Sequence, residues 1–375
     1  MLSDTTVFRR CRSVWGSADE RPSLPGAITI ADVRYVPDGA PVPWGLYKGD
    51  QRIYEVADAV ATGAARFGFD GEADAADGPY LYVGLLILHY GHFIIDTLSR
   101  LWPMLVMTGR RPKILCHRLE AFPEGPEHAF LYAMLSGLGI RRADVVSFDR
   151  TTRISQVIVA ERSFHERSHV HSIFGDLCRT VGQASWPTAS GAAPERPVYL
   201  SKTKLSSGMN CLVNEAKLES ALSRLGIDIV YPEELSFGAQ VSLLAARGPI
   251  LGPTTSAFHT AAFSAPGRRI IGLNWSYQIN SNFLLFDTFN HTQAYYYWIF
   301  KTEYSDVSNF GVGWAIPDPE RVAHELLERV AHFDTLDQLD AAQEARRARK
   351  ERRWTHRLSA WRRTFKERFG GGVRD

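Results

Sequence analysis

The sequence predicts an α/β protein in two halves, and three observations predict it. Apolar runs of strand length alternate with runs of helical period, the order that a parallel sheet with crossover helices requires. The stretch Ala184 to Pro197 is rich in Pro, Ala and Ser and reads as a linker between the halves. The chain has 375 residues, 45% hydrophobic and 11% aromatic, enough to bury a large core and more than one domain would need.

Residues 1–26 show no clear period, and Arg21-Pro22-Ser23-Leu24-Pro25-Gly26 suggests a loosely attached arm. The first half, 27–183, opens with a strand from Ala27 to Val36 and an irregular Pro- and Gly-rich stretch. It then runs through an apolar strand, Tyr80 to Leu88, into a helix starting after Gly91. Strands at Lys113 to Cys116, Asp144 to Phe148 and Ile154 to Ala160, with helices at Glu127 to Leu138 and Ser172 to Gln183, complete it. The second half, 198–335, reads as four short strands separated by three helices. The strands are Val198 to Leu200, Ile227 to Tyr231, Pro249 to Gly252 and Arg269 to Asn274; the helices are Asn214 to Leu225, Phe237 to Arg247 and Ser256 to Phe263. Such a doubly wound unit places its ligand off the carboxyl ends of the strands, here Ser201-Lys202, Pro232-Glu233-Glu234, Pro253-Thr254-Thr255-Ser256 and Asn274-Trp275. A further amphipathic helix is predicted from Asp318 to Val330.

The net charge of +2 hides an asymmetry. Residues 341–375 carry twelve Lys or Arg against four Asp or Glu, so the preceding body, with 31 against 37, is mildly acidic. In the tail, 336–375, Trp354, Leu358, Trp361, Phe365 and Phe369 recur at helical spacing with arginines between them. That is the pattern of a helix lying in the plane of an anionic membrane surface; a partner-binding or oligomer helix, or a nucleic-acid tail, has the same signature. Arg9, Arg10 and Arg12 near the start are not followed by an apolar stretch, so no export signal is read. Cys11, Cys116, Cys178 and Cys211 are far apart, as free thiols of a reducing compartment would be. The apolar segment from Leu81 to Met107 is long enough to span a bilayer, but Asp96 and Arg100 would each cost about 2.5 to 3.5 kcal/mol near its centre. A soluble globular protein is expected.

There is no GxGxxG, GxxxxGK[ST] or GxSxG, which argues against dinucleotide oxidoreductases, P-loop ATPases and α/β-hydrolases. His165-Glu166-Arg167-Ser168-His169 spells HExxH, with His171 beyond it. That motif binds zinc when both imidazoles share a helical face, and this stretch has no apolar period of its own. The most informative segment is the helix after Gly91, where His92, Asp96 and Arg100 fall at successive i, i+4 positions. They are either a structural ion-pair ladder or a catalytic set; a His in the first turn meets the positive end of the helix dipole, which favours its neutral, proton-accepting form. In the second half, Lys202 with Lys204 after a strand end, and the helix start at Ser256 behind Thr254 and Thr255, are candidate anion contacts.

On these residues the chain resembles glycosyltransferase family 61 of the bacterial capsular-polysaccharide type. Tyr90-Gly91-His92-Phe93-Ile94-Ile95-Asp96-Thr97-Leu98-Ser99-Arg100-Leu101-Trp102 is similar to the family's YGHFLLDxLxRLW segment. Tyr199-Leu200-Ser201-Lys202, Asn214-Glu215, Tyr231-Pro232-Glu233-Glu234-Leu235-Ser236-Phe237 through Gln240, and Gly252 through Ser256-Ala257-Phe258-His259 follow in the family's order. Asn210 and Cys211 stand where an arginine is common, and Thr254 and Thr255 replace His and Gly. The resemblance implies a GT-B-like fold, two Rossmann-like domains facing a cleft, with the basic tail helix added. It also implies inverting sugar transfer from a nucleotide sugar to a glycan or lipid-linked acceptor, in the cytoplasm, with no required metal and no further cofactor. His92, Asp96 and Arg100 become the catalytic candidates, one of the first two being the base and Arg100 fixing the carboxylate. Ser201, Lys202, Asn214, Glu215, Glu234, Gln240, Thr255, Ser256 and His259 become donor-binding candidates. The partners expected are the nucleotide sugar, the acceptor and an anionic membrane surface at Trp354 to Phe369; nucleic acid is not expected, and self-association is left open. Two other classes remain open: a catalytically silent carbohydrate-binding relative, which the departures would suit, and a zinc hydrolase at His165 and His169.

Overall fold

A computed structural model describes residues 6–350, apart from 57–58, 70–73, 119–121, 123–124, 126–127 and 187–195, together with residue 352. The fold is mixed α/β with two main sheets. The first half is built on a nine-stranded sheet whose parallel part runs, in spatial order, Val145–Val146, Lys113–His117, Tyr80–Leu85, Thr152–Ala160. Ala27–Val36 then pairs antiparallel with Thr152–Ala160 and starts a meander through Gly45–Lys48, Gln51–Val56 and Ala59–Arg66. That meander occupies the stretch whose Pro and Gly content suggested irregular connections around short strands.

The second half carries a six-stranded sheet in the order Phe8–Arg10, Gln293–Ile299, Arg269–Asn274, Ile250–Pro253, Val198–Leu200, Asp228–Val230. All neighbours are parallel except Phe8–Arg10, which pairs antiparallel with Gln293–Ile299. The four strands expected here are present, and Gln293–Ile299 extends them after the helix Ser281–Phe289.

Residues 6–21 are not a loose arm. Phe8–Arg10 forms the edge of the second sheet, Ser13–Trp15 pairs with Gln278–Asn280, and Asp19–Arg21 pairs with His169–His171. Three strands of three residues each are below the length at which a period shows, which is why the sequence suggested a loosely attached arm.

Besides clusters of their own, the halves share one core. The largest buried cluster takes Leu81, Phe93, Leu101, Phe164 and Phe174 from the first half and Phe237, Val241, Phe263, Phe286 and Phe289 from the second. The seam is close-packed at Gly182, where a Cβ would stand 1.8 Å from the Phe263 carbonyl oxygen. Only glycine lets the helix Ser172–Gly182 approach the helix Ser256–Phe263 this closely. Of the expected linker, residues 187–195 lie outside the described part; Trp186 before them is tied in, its Nε1–H donating to the Phe263 carbonyl at 2.6 Å.

The amphipathic helix Pro319–Ala331 packs on Glu215–Arg224, and residues 336–350 continue helically across the arm strand. Arg347 donates to the Phe8 carbonyl at 3.0 Å and Tyr297 OH to Asp340 at 2.7 Å. The start of the basic tail is thus docked on the body, while Trp354 to Phe369 lies outside the described residues. No helix among the described residues is long and apolar enough to cross a membrane.

Candidate active site

In both sheets the strand order reverses at one place, and ligands of open α/β sheets bind beyond the carboxyl ends at such a reversal. In the second sheet it falls between Val198–Leu200 and Ile250–Pro253, whose ends deliver Ser201-Lys202 and Thr254-Thr255-Ser256. In the first it falls between Tyr80–Leu85 and Thr152–Ala160, whose ends deliver the His92 segment and Glu161-Arg162.

The His92 segment is helical but not one regular helix. A single α turn at Tyr90–His92 opens into a π-helical turn at Phe93–Thr97, tightens to a 3₁₀ turn at Leu98–Arg100, and resumes as Pro103–Val106. Its apolar side, Phe93, Ile94, Leu98 and Leu101, is fully buried in the shared core, which fixes the polar side. π turns of this kind are frequent at functional sites because they re-aim a side chain without breaking the helix.

On that polar side the His92 Nδ1–H donates to Asp96 Oδ2 at 3.2 Å, and Arg162 Nη1 donates to Asp96 Oδ1 at 2.9 Å. One Asp96 oxygen therefore serves each partner. The guanidinium that holds this carboxylate is that of Arg162 and not, as expected, that of Arg100, whose Nε–H donates to the Asp96 backbone carbonyl at 3.1 Å. The widened turn explains the exchange, since an i, i+4 ladder assumes regular α spacing. Arg162 carries no motif of its own; its position two residues beyond a strand next to Tyr80–Leu85 was the available signal. His92 is about half exposed and His89 lies beside it, ring centroids 5.3 Å apart. Burial, then the neighbouring His92, lowers the His89 pKa. Asp96 and Arg100 line a cavity of ≈ 320 Å³ with Trp44, Arg52, Tyr82 and Val159.

The two reversal points touch. A Cβ on Gly91 would stand 3.0 Å from the Ser256 Cβ, and Tyr90 OH hydrogen-bonds with Thr260 Oγ1 at 2.6 Å. Thus the His92 segment lies directly on the start of the helix Ser256–Phe263, which is 3₁₀ in form. Thr255 Oγ1 caps it, accepting from the Ala257 N–H at 3.2 Å.

The remaining donor-side candidates divide into two groups. Near the strand ends, Glu215 Oε1 accepts from Tyr199 OH at 3.0 Å and from the Lys202 N–H at 3.2 Å. Burial pushes the Glu215 carboxyl up to about 7. Ser201 Oγ donates to Glu219, and Lys202 Nζ, whose pKa burial lowers, donates to the Asn210 carbonyl. Glu234 pairs with Lys204 at 2.7 Å. The others serve the framework. Asn214 clasps Ile316 through both backbone groups at 2.8 and 3.1 Å, and Gln240 donates to the Pro232 and Leu235 carbonyls. His259 is not in the cleft. Its ring stacks on Phe286 at 4.0 Å, and burial drives its pKa down to about 3. The helix that carries it is buried almost all round, so its second turn faces the core.

The structure thus sets a carboxylate-held histidine at one strand reversal and the start of the helix Ser256–Phe263 at the other. Residues 90–271 match the model of the family described as Glycosyltransferase 61. Over these residues, just under half of its length, the chain is similar to that family. No curated protein matches the chain.

Proposed function

We propose that the chain is an inverting glycosyltransferase of surface-polysaccharide biosynthesis, capsular in type, passing a sugar from a nucleotide sugar to a glycan or lipid-linked acceptor. The observation that supports this reading is the contact of Tyr90 with Thr260 and of Gly91 with Ser256, immediately before His92 in the chain. In this reading the two sheets are the halves of a GT-B architecture, the first holding the acceptor and the second the nucleotide diphosphate. His92 is the base, because both Asp96 oxygens are engaged by His92 and Arg162. With Nδ1–H held by Asp96, the other ring nitrogen takes the proton of the acceptor hydroxyl as its oxygen attacks the anomeric carbon. The carboxylate then stabilises the imidazolium that forms. The bond from that carbon to the diphosphate oxygen breaks on the opposite face, and the released charge meets the N–H groups around Ser256 and, once it leaves the Asn210 carbonyl, Lys202. Trp44 supplies an apolar ring for a sugar in the ≈ 320 Å³ cavity. Metal independence rests on the resemblance, the cytoplasmic location on the four widely separated cysteines, and a role for Trp354 to Phe369 at an anionic membrane on the spacing of its aromatic and basic residues.

The test is a donor-hydrolysis and transfer assay with a panel of nucleotide sugars, preceded by a thermal-shift screen to find the donor. His92→Ala and Asp96→Asn are each expected to lower turnover by about 100-fold or more while leaving donor binding in place. Near wild-type rates in both variants would remove the base from this segment. The engaged Lys202 amine favours one second reading, a silent carbohydrate-binding relative. Glycan binding by calorimetry, with no nucleotide sugar stabilising the fold, would select it.

A further inference from the structure

His165, His169 and His171 stand apart from this chemistry. Their spelling asks for a helix, but Phe164–His165 and His169–His171 form an antiparallel hairpin with Phe164 opposite Val170 and His165 opposite His169. Cross-strand pairing sets His165 beside His169, and alternation along the strand puts His171 on the same face. A ring nitrogen from each of the three lies within 4.8 Å of the others. Glu166 sits in the turn, its Oε1 accepting from Asn282 Nδ2 at 3.2 Å, so the arrangement lacks the base of a zinc peptidase.

The surroundings orient the rings. His171 Nδ1 lies 2.6 Å from the Ser23 carbonyl oxygen, which can only accept, so the proton is on Nδ1 and the lone pair on Nε2. That Nε2 is buried and has no hydrogen-bond partner among the described residues, in a side chain 4% exposed. His169 Nδ1 meets Ser168 Oγ at 3.0 Å. A hydrogen bond on the far nitrogen is how proteins orient metal-bound histidine.

We propose that His165, His169 and His171 bind one divalent transition metal ion, zinc being the probe, in a site that clamps the hairpin rather than catalyses. Imidazole suits zinc, and the partly exposed His165 leaves room for water as a fourth ligand. Tetrahedral zinc at about 2.0–2.1 Å from each nitrogen needs them about 3.3 Å apart, so the rings draw in by up to about 1.5 Å on binding. The clamp would stiffen two attachments. His169–His171 pairs with the arm strand Asp19–Arg21, and the residue two positions before Phe164 is Arg162, which holds Asp96.

The experiment uses the full chain freed of any histidine tag and stripped with a chelator. Calorimetric titration with zinc is expected to show one equivalent per chain and a higher melting temperature for the loaded protein. His171→Gln should bind at least about 100-fold more weakly, and cobalt should give the visible bands of a low-coordinate nitrogen site only in the unsubstituted chain. No binding by the stripped native chain overturns the proposal without needing any variant to fold. Unchanged affinity in His171→Gln overturns it equally. Neither result depends on the transfer reading, since both are read by binding and stability.

Discussion

Glu215 shows how much the second half concedes to its strand end. The carboxyl is almost wholly enclosed, and burial holds it near 7 against an ordinary 4.5 despite two hydrogen bonds to Oε1. The folded chain therefore binds this proton more tightly than the unfolded chain. Between about pH 4.5 and 7 stability must fall as pH rises, by about 3 kcal/mol from this group at the upper limit. Glu215→Gln keeps an oxygen for Tyr199 OH and the Lys202 N–H and removes the charge. It is expected to be more stable than the native chain by up to about 3 kcal/mol at pH 8 and unchanged near pH 4. Urea denaturation at both values checks it, and an equal gain at both would place the effect in packing instead. Position was legible where motif and strand end coincided: His92, Asp96, Ser201, Lys202 and Ser256 lie beyond the strands expected to deliver them. It was not for Arg162 or Trp44, which meet the site only after the chain has returned from far away in sequence.

Among the elements, the contact between the His92 segment and the helix Ser256–Phe263 is the one on which the proposed chemistry depends. Gly91 is there because a side chain would meet the Ser256 Cβ at 3.0 Å, with the His89 ring 3.9 Å away. A methyl group must push the two segments apart by tenths of an ångström. Gly91→Ala is therefore expected to destabilise the chain by about 1 kcal/mol, and Gly91→Val by about 3 kcal/mol, the range for overpacked sites. Transfer should fall more steeply than stability, because the displacement opens the gap between His92 and the anion seat. Activity and melting temperature falling in strict proportion would show that the contact only holds the fold. The sequence showed that a strand led into this helix and that another began at Ser256. It did not show that the first passes through a π turn, because the apolar positions fit either spacing over so short a run.

At the scale of the molecule, the halves are joined by more than their linker. The strands expected in the second half lie where the pattern put them, because the inner parallel strands Val198–Leu200 and Ile250–Pro253 are fully buried and Gly, Pro and helix starts bound them. The shared core and the woven-in amino terminus were not legible, since neither leaves a period in the sequence. Phe8 is the point where this assembly is tested. It is 1% exposed, the Arg329 guanidinium lies 4.0 Å over its ring, and Tyr297 meets it edge-on at 5.4 Å. Arg329 is itself fully buried, paired at 3.8 Å with Glu325, so the ring is part of what shelters its charge. Phe8→Ala leaves a cavity and thins that shelter at once. A loss of about 3–5 kcal/mol is expected, the upper range for a buried aromatic, while Leu24→Ala, at an exposed position, should change stability by less than about 0.5 kcal/mol. Because the largest cluster spans both halves, tryptophan fluorescence and far-ultraviolet dichroism should report the same lowered midpoint. Two midpoints, with only one moved by Phe8→Ala, would mean that the halves unfold separately and that the arm secures only the sheet it edges.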